Sequence, residues 1–314
     1  MRATVATVAL AAALLAAGVS PAGAQGNPVG GSGNRYFLAG AGNVSGQASQ
    51  SFGYGDPSDE VYVGDFVDAT GAFGGDGVDD AMVRRGSSFI IRGQAGRVFQ
   101  YGDPGDTVLV GDWNGDGTDT LAVRRGNRYF VKNDVTTGTA DHDFYYGDPG
   151  DRVLVGNWDG DSSAAEDPYL LLTDTLMVQR GKRFYVKNST TTGPADYDFI
   201  FGSHADVTIL VGDWALPPVY GDDPSTPAKE TRFVVRPGVS GDYRDQLAER
   251  SNNLYQLSGE VGFPPGSSGS LLGSIGWFAY GNATDTAFTA QLEWTYDLNG
   301  KPDTLFGDGL AVRR

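Results

Sequence analysis

Tyr101-Gly-Asp-Pro-Gly-Asp-Thr-Val-Leu-Val-Gly-Asp-Trp113 recurs as Tyr146-Gly-Asp-Pro-Gly-Asp-Arg-Val-Leu-Val-Gly-Asn-Trp158, and this self-similarity decides the fold. Weaker copies run from Tyr54-Gly-Asp-Pro to Val63-Gly-Asp-Phe66 and from Phe201-Gly-Ser-His to Val211-Gly-Asp-Trp214. A degenerate fifth runs from Tyr280-Gly to Leu292-Glu-Trp294. Each copy goes on in the same order. A polar Asp/Gly loop precedes Leu121-Ala-Val-Arg-Arg-Gly126, matched by Ala81-Met-Val-Arg-Arg-Gly86, Leu176-Met-Val-Gln-Arg-Gly181 and Phe233-Val-Val-Arg-Pro-Gly238. Then comes Arg128-Tyr-Phe-Val-Lys-Asn133 or Arg183-Phe-Tyr-Val-Lys-Asn188, a Thr/Gly loop, and Asp141-His-Asp-Phe-Tyr145 or Asp196-Tyr-Asp-Phe-Ile200. The runs are short, β-branched or aromatic, and bounded by Gly, Asp, Asn or Pro, which are strand signals. No stretch of helical length keeps a 3.6-residue period; the nearest, Tyr243 to Arg250, reads as a polar insert.

Four-strand units of about 45 residues predict an all-β chain, a five-bladed β-propeller of four-stranded antiparallel blades. The two ends sharpen this. Gly309-Leu-Ala-Val-Arg-Arg314 stops where an internal repeat continues, and Gly33-Asn-Arg-Tyr-Phe-Leu38 with Ser51-Phe-Gly-Tyr54 supplies the missing half. One blade is therefore expected to be closed by N- and C-terminal strands, because pairing the two ends removes an open sheet edge. An open solenoid would instead carry dissimilar polar caps. The repeats are expected at about 54–100, 101–145, 146–200, 201–279, and 280–314 completed by 33–53. The fourth is long, with inserts expected at about Ala215 to Glu230 and Val239 to Ser251.

Met1-Arg2, an apolar run from Val5 to Val19 and Pro21-Ala-Gly-Ala24 read as a secretory signal peptide over 1–24, cleaved after Ala24. The run is shorter than the ~20 apolar residues of a spanning helix. The expected location is secreted, with 25–314 as the propeller and no membrane insertion. The chain has 314 residues and no cysteine, which removes disulfides, thiolate zinc sites and cysteine nucleophiles. Its net charge of -16 disfavours nucleic acid and anionic membranes as partners. Asp outnumbers Glu 33 to 6, a bias toward turns and hard-cation cages rather than a merely solvated surface.

The second repeat holds Asp112-Trp-Asn114-Gly-Asp116-Gly-Thr118-Asp119, in which oxygen side chains alternate and Gly permits sharp turns. Calcium accepts six to eight such oxygens at irregular geometry. An EF-hand is excluded, since it needs flanking helices and a Glu at the twelfth position. Ordinary Asp-Gly hairpin turns would look much the same.

The Asp-x-Asn-x-Asp-Gly run at Asp112 to Gly117, with its Val-Gly-Asp-Trp and Leu-Ala-Val neighbours, resembles the FG-GAP or VCBS-type repeat, the calcium-binding blade also found in integrin α-subunits. The resemblance covers about 260 residues and implies side-chain ligands at Asp112, Asn114 and Asp116. The family's closing carboxylate would fall at Thr120; the nearby acid is Asp119, one residue early. The candidate calcium ligands are thus Asp112, Asn114, Asp116, Thr118 and Asp119 in the second repeat. The third offers Asn157, Asp159, Asp161 and Asp174, and the first Asp65, Asp76 and Asp79. The fourth keeps Asp213 but loses the cage to Leu216-Pro-Pro218, and the fifth has Glu293, Asp297 and Asn299 in a rearranged loop ending at Asp308.

No catalytic residue is assigned. His142 and His204 fall at unlike repeat positions, and no serine sits in a nucleophile elbow. Trp113, Trp158, Trp214 and Trp294 could stack on sugars but are expected to pack between blades. Arg85, Arg125, Arg180 and Arg314 are expected to pair with neighbouring Asp or cover aromatics. Tyr220, Tyr243 and Phe263, in the long fourth repeat, are candidate ligand-binding residues. The function expected is a secreted, calcium-stabilised, non-catalytic binding or adhesion module for a cell-envelope glycan or an extracellular protein, monomeric by preference. A propeller glycoside hydrolase or polysaccharide lyase using axial carboxylates is the alternative, and a purely structural surface protein a third reading.

Overall fold

The computed structural model describes residues 26–30, 33–38, 48, 50–94, 97–158, 173–201, 208–212, 246–251, 254–258, 274–279, 286–298 and 301–313. The expected leader over 1–24 lies outside them, as do Asp159, Asp161, His204, Asp213, Trp214, Tyr220, Tyr243, Phe263 and Arg314. Side chains after residue 251 are described only at Arg313.

The described residues are all-β, without a helix, and no helix among them is long and apolar enough to cross a membrane. Four repeats each make one four-stranded antiparallel sheet. The first sheet holds β3 (Glu60–Gly64), β4 (Asp80–Arg85), β5 (Ser88–Ile91) and β6 (Val98–Gln100). The second holds β7 (Thr107–Gly111), β8 (Thr120–Arg125), β9 (Arg128–Lys132) and β10 (His142–Tyr145). The third holds β11 (Arg152–Gly156), β12 (Thr175–Arg180), β13 (Arg183–Lys187) and β14 (Tyr197–Ile200). The fourth holds β15 (Thr208–Gly212), β16 (Gln246–Ser251), β17 (Leu254–Ser258) and β18 (Ser274–Ala279). The fifth combines both ends of the chain in the order β19 (Thr286–Leu298), β20 (Lys301–Arg313), β1 (Arg35–Leu38), β2 (Gln50–Gly53). There Tyr36 pairs with Arg313 and Phe37 with Val312, as the split repeat predicts.

Two expectations need correcting. The second strand of the fourth sheet is not the Phe233 to Gly238 stretch, which lies outside the described residues, but Gln246–Ser251, in part of the expected insert. Leu247-Ala-Glu-Arg-Ser-Asn-Asn-Leu-Tyr255 aligns with Leu121-Ala-Val-Arg-Arg-Gly-Asn-Arg-Tyr129; Glu249 at an apolar position hid the match. In the fifth repeat Glu293 and Asp297 do not enter a polar loop. β19 and β20 pair continuously from Thr286↔Arg313 to Leu298↔Lys301, so the Asp/Gly loop is replaced by an extended hairpin.

Apolar side chains collect between sheets. One buried cluster joins Val29, Tyr36 and Leu38 to Val61, Val63 and Val83, at the boundary of the fifth and first sheets. The next joins Tyr62, Phe66 and Phe89 to Val108, Val110 and Leu121, and a third joins Leu109, Trp113 and Tyr129 to Val153, Val155 and Leu176. The fourth joins Leu154, Trp158 and Phe184 to Ile209, Val211 and Leu247. Trp113 and Trp158 are buried in these seams, which removes them as sugar-stacking platforms. The first strands adjoin in chain order: β3 meets β7, β7 meets β11, β11 meets β15, β15 meets β19, and β19 meets β3.

Polar joints reinforce the seams. Arg84 Nη1 and Nη2 donate to Asp106 O and Asp103 O, at 2.6 and 2.9 Å, in the Gly-Asp-Pro-Gly-Asp turn of the next repeat. Arg124 reaches Asp151 O and Asp148 O in the same way, and Arg313 reaches Asp59 O and Pro57 O, from the fifth sheet to the first. The residue after Arg84, Arg124 or Gln179 is an arginine that faces the opposite side, as strand alternation requires. It grips its own repeat's turn: Arg85 binds Asp56 and Asp59, Arg125 binds Asp103 and Asp106, Arg180 binds Asp148 and Asp151. At the rim, Thr137 Oγ1 accepts from Gln100 N and Thr192 Oγ1 from Tyr145 N. Each Thr/Gly loop thereby covers the outer edge of the preceding sheet, where unpaired amides would invite other chains.

Replacing Arg84 with Ala is expected to lower the unfolding free energy by about 2–4 kcal/mol, since buried bonds to a charged group are lost. Replacing the exposed Arg85 is expected to cost clearly less, because solvent screens its ion pairs. Urea unfolding of the two variants checks this; equal losses would mean that the buried arginine is not the joint.

Candidate metal centre

The described candidate ligands sit between the first and second strands of their repeats, Asp65, Asp112 and Asn157 directly after the first strand and Asp79, Asp119 and Asp174 directly before the second. Strand β7 delivers Asp112 almost fully buried, and its carboxylate organises the loop around itself. Oδ1 accepts from Gly115 N and Asp116 N at 2.8 and 3.1 Å, and Oδ2 from Gly117 N at 2.7 Å. A carboxylate has about four lone-pair sites, so three are spent on the loop's own amides. Asp116 Oδ1 accepts from Thr118 N, and its Oδ2 from Asn114 Nδ2. In the first repeat Asp65 does the same across an inserted turn, accepting from Asp76 N and Gly77 N at 2.9 and 2.7 Å. The two loops touch, with Gly75 N donating to Thr118 Oγ1 at 3.2 Å.

Asp119 and Asp174 have a different task. Asp119 N donates to Asp65 O, while Asp65 N donates to Asp119 Oδ2 at 2.8 Å. Asp174 N and Asp112 O, with Asp112 N and Asp174 Oδ2, repeat this joint between the third and second sheets. The Val-Gly-Asp glycines make room for it. A Cβ at Gly64 would lie 2.7 Å from Asp119 Oδ2, and one at Gly111 would lie 3.0 Å from Asp174 Oδ2. The structure therefore brings Asp65 together with Asp76 and Asp119, and Asp112 with Asp116 and Asp174. Asn157 is buried at the matching position of the third repeat.

Four of these acids, Asp65, Asp76, Asp112 and Asp119, lie above their ordinary range. Burial pushes Asp119 up to about 7, against the Asp65 amide and helped by the charges of Asp112 and Asp116. Burial pushes Asp112 up to about 6, with the loop amides opposing and Asp116 adding. Asp65 is raised well above the carboxylate range by burial, despite the amides of Asp76 and Gly77, with Asp119 and Asp79 adding. Asp76 is also raised, by burial. The turn acids behave oppositely: Asp59 and Asp106 are lowered, chiefly by their bonds to Arg85 and Arg125.

The donor set has the chemistry of a hard-cation site, oxygen throughout, with mutually repelling carboxylates. Asp119 Oδ1 is buried with no hydrogen-bond partner. Its geometry is less gathered: among the described residues no three His, Cys, Asp or Glu side chains converge on one point. Comparison with protein families, with characterised proteins and with solved structures returned no match for this chain.

Sequence reasoning picked out Arg85, Arg125, Arg180 and Arg314 and missed Arg84, Arg124 and Arg313, which join the sheets. The signal was present, since two adjacent strand residues face opposite sides of the sheet and cannot share one partner set. Nor did anything but proximity to Gly33 mark residues 26–30, which pair with strands far along the chain.

Two outcomes are expected. Asp119→Ala leaves the Asp65 amide without its acceptor and lowers unfolding free energy by about 1–3 kcal/mol, whereas Asp119→Asn keeps an acceptor oxygen and loses less; urea unfolding separates them. For Asp106, a lowered folded pKa means stabilisation that is complete above the unfolded value near 3.9 and lost as pH falls through the folded value. Asp106→Asn is thus expected to flatten the fall of unfolding free energy between about pH 4 and 2. An unchanged slope would remove the pair from the acid response.

Proposed function

We propose that the five sheets are the blades of a five-bladed β-propeller of FG-GAP or VCBS type, secreted and calcium-stabilised. It acts as a non-catalytic binding or adhesion module for a cell-envelope glycan or an extracellular protein. The observation that carries this reading is the use made of the repeated acids. Asp65, Asp112, Asp119 and Asp174 hold loops and seams, and Asp59, Asp106 and Asp151 hold arginines. A glycoside-cleaving pair needs two carboxylates in unlike roles flanking a free space. The same acids at successive repeats instead serve one role many times. Supporting the ring are the cyclic order of the first strands and the reach of Arg313 from the last sheet to the first.

Calcium in the second loop would be held by Asp112, Asn114 and Asp116, with Asp119 behind them. It would supply charge compensation. The buried Asp119 Oδ1 and the raised pKa values of the neighbouring acids favour this.

Glycan-array binding without turnover on a polysaccharide panel is the expected result, with a melting temperature that rises in calcium and falls in EDTA. Turnover lost with a single carboxylate would replace the binding reading with the enzymatic one. A melting temperature indifferent to EDTA, with no calcium heat in calorimetry, would remove the metal.

A further inference from the structure

Residues 26–30 lie along the free edges of three first strands, and their contacts are those of a bound peptide. Strands β3, β7 and β11 each stand at the end of their sheet, so one side of each carries amides and carbonyls that no neighbour in the sheet satisfies. Val29 N donates to Val61 O of β3 at 2.7 Å, Val110 N of β7 donates to Gly26 O at 2.9 Å, and Asn27 Nδ2 donates to Val153 O of β11 at 2.8 Å. Arg313 Nη1 holds the far end through Val29 O at 2.9 Å and Gly30 O at 3.3 Å. The Val29 side chain is buried with Val61, Val63 and Val83. Gly26 is buried at φ +64, and a Cβ there would fall 2.1 Å from Val155 Cγ2. Main-chain bonds to strand edges with a side-chain pocket at one position are the chemistry of edge-strand peptide recognition.

We propose that these three edges form a binding site for a Gly-Asn-Pro-Val peptide, occupied in this chain by its own residues 26–29. The site selects Gly where β7 and β11 crowd the backbone, Asn where a donor meets Val153 O, and Val where the apolar seam opens. Tethering raises the effective concentration of the segment to the millimolar range, so modest intrinsic affinity keeps the site filled. The inference rests on these contacts and not on the glycan reading, which a failed peptide experiment would leave standing.

The test is amide hydrogen exchange at Val110, whose N–H reports the seated segment, in the full-length protein and in Gly26→Val. Valine cannot take the φ or the space of Gly26, so Val110 is expected to exchange at least about tenfold faster, with amides of β13 unchanged. Millimolar synthetic peptide Gly-Asn-Pro-Val-Gly is expected to restore protection in the variant and to change nothing in the wild type. Unchanged exchange in Gly26→Val, or no protection by the peptide, overturns the proposal. Should Gly26→Val fail to fold, Asn27→Ala takes its place. A severalfold acceleration at Val110 reversed by the peptide supports the site, and its absence overturns it.

Discussion

The structure depends on a reciprocal pair of hydrogen bonds across a sheet boundary. An aspartate at the end of one first strand and an aspartate ahead of the next repeat's second strand exchange main-chain and carboxylate contacts, Asp65 with Asp119 and Asp112 with Asp174. Each joint buries charge that is costly to desolvate, and each is tolerable because backbone amides point at the carboxylates. The surrounding sequence serves that joint. Glycine before the aspartate clears space for the neighbour's carboxylate, and Phe66 or Trp113 after it seals the apolar seam.

Arginine distribution follows from the same geometry. Along β4 or β8 the first arginine of the pair crosses to the next repeat, where carbonyls of a tight turn await it, while the second stays with two aspartates of its own turn. The crossing bonds of Arg84 are part-buried and connect sheets, whereas the local pairs of Arg85 and Arg125 are exposed and mainly shape turns. The excess of aspartate thereby acquires an architectural meaning. A net charge of -16 first bears on partners, yet many of the acids are turn caps, loop caps and seam joints.

The five four-stranded sheets, the strands of the first three and the sheet shared by the two termini were legible because each rests on local pattern: alternating apolar residues, turn chemistry and a repeated order. Loop boundaries were less legible. Gln246–Ser251 escaped notice because Glu249 broke the apolar run, and the fifth loop was read by analogy although continuous strand pairing replaces it. The candidate site was half legible. Its residues could be picked from spacing, but whether Asp119 closes its own loop or clasps the preceding repeat depends on a partner 54 residues away.

By itself the sequence determined the all-β class, the four-strand order and the turn residues of the first three repeats, since short-range sterics and two-residue periodicity act within a few positions of the chain. Only the tertiary structure decided which arginine crosses a seam, which aspartate joins two repeats, and that residues 26–30 lie against strands more than thirty and more than a hundred residues further on. Those choices belong to contacts between distant segments, whose energies come from burial and from unpaired edge amides that exist only once the sheets stand side by side.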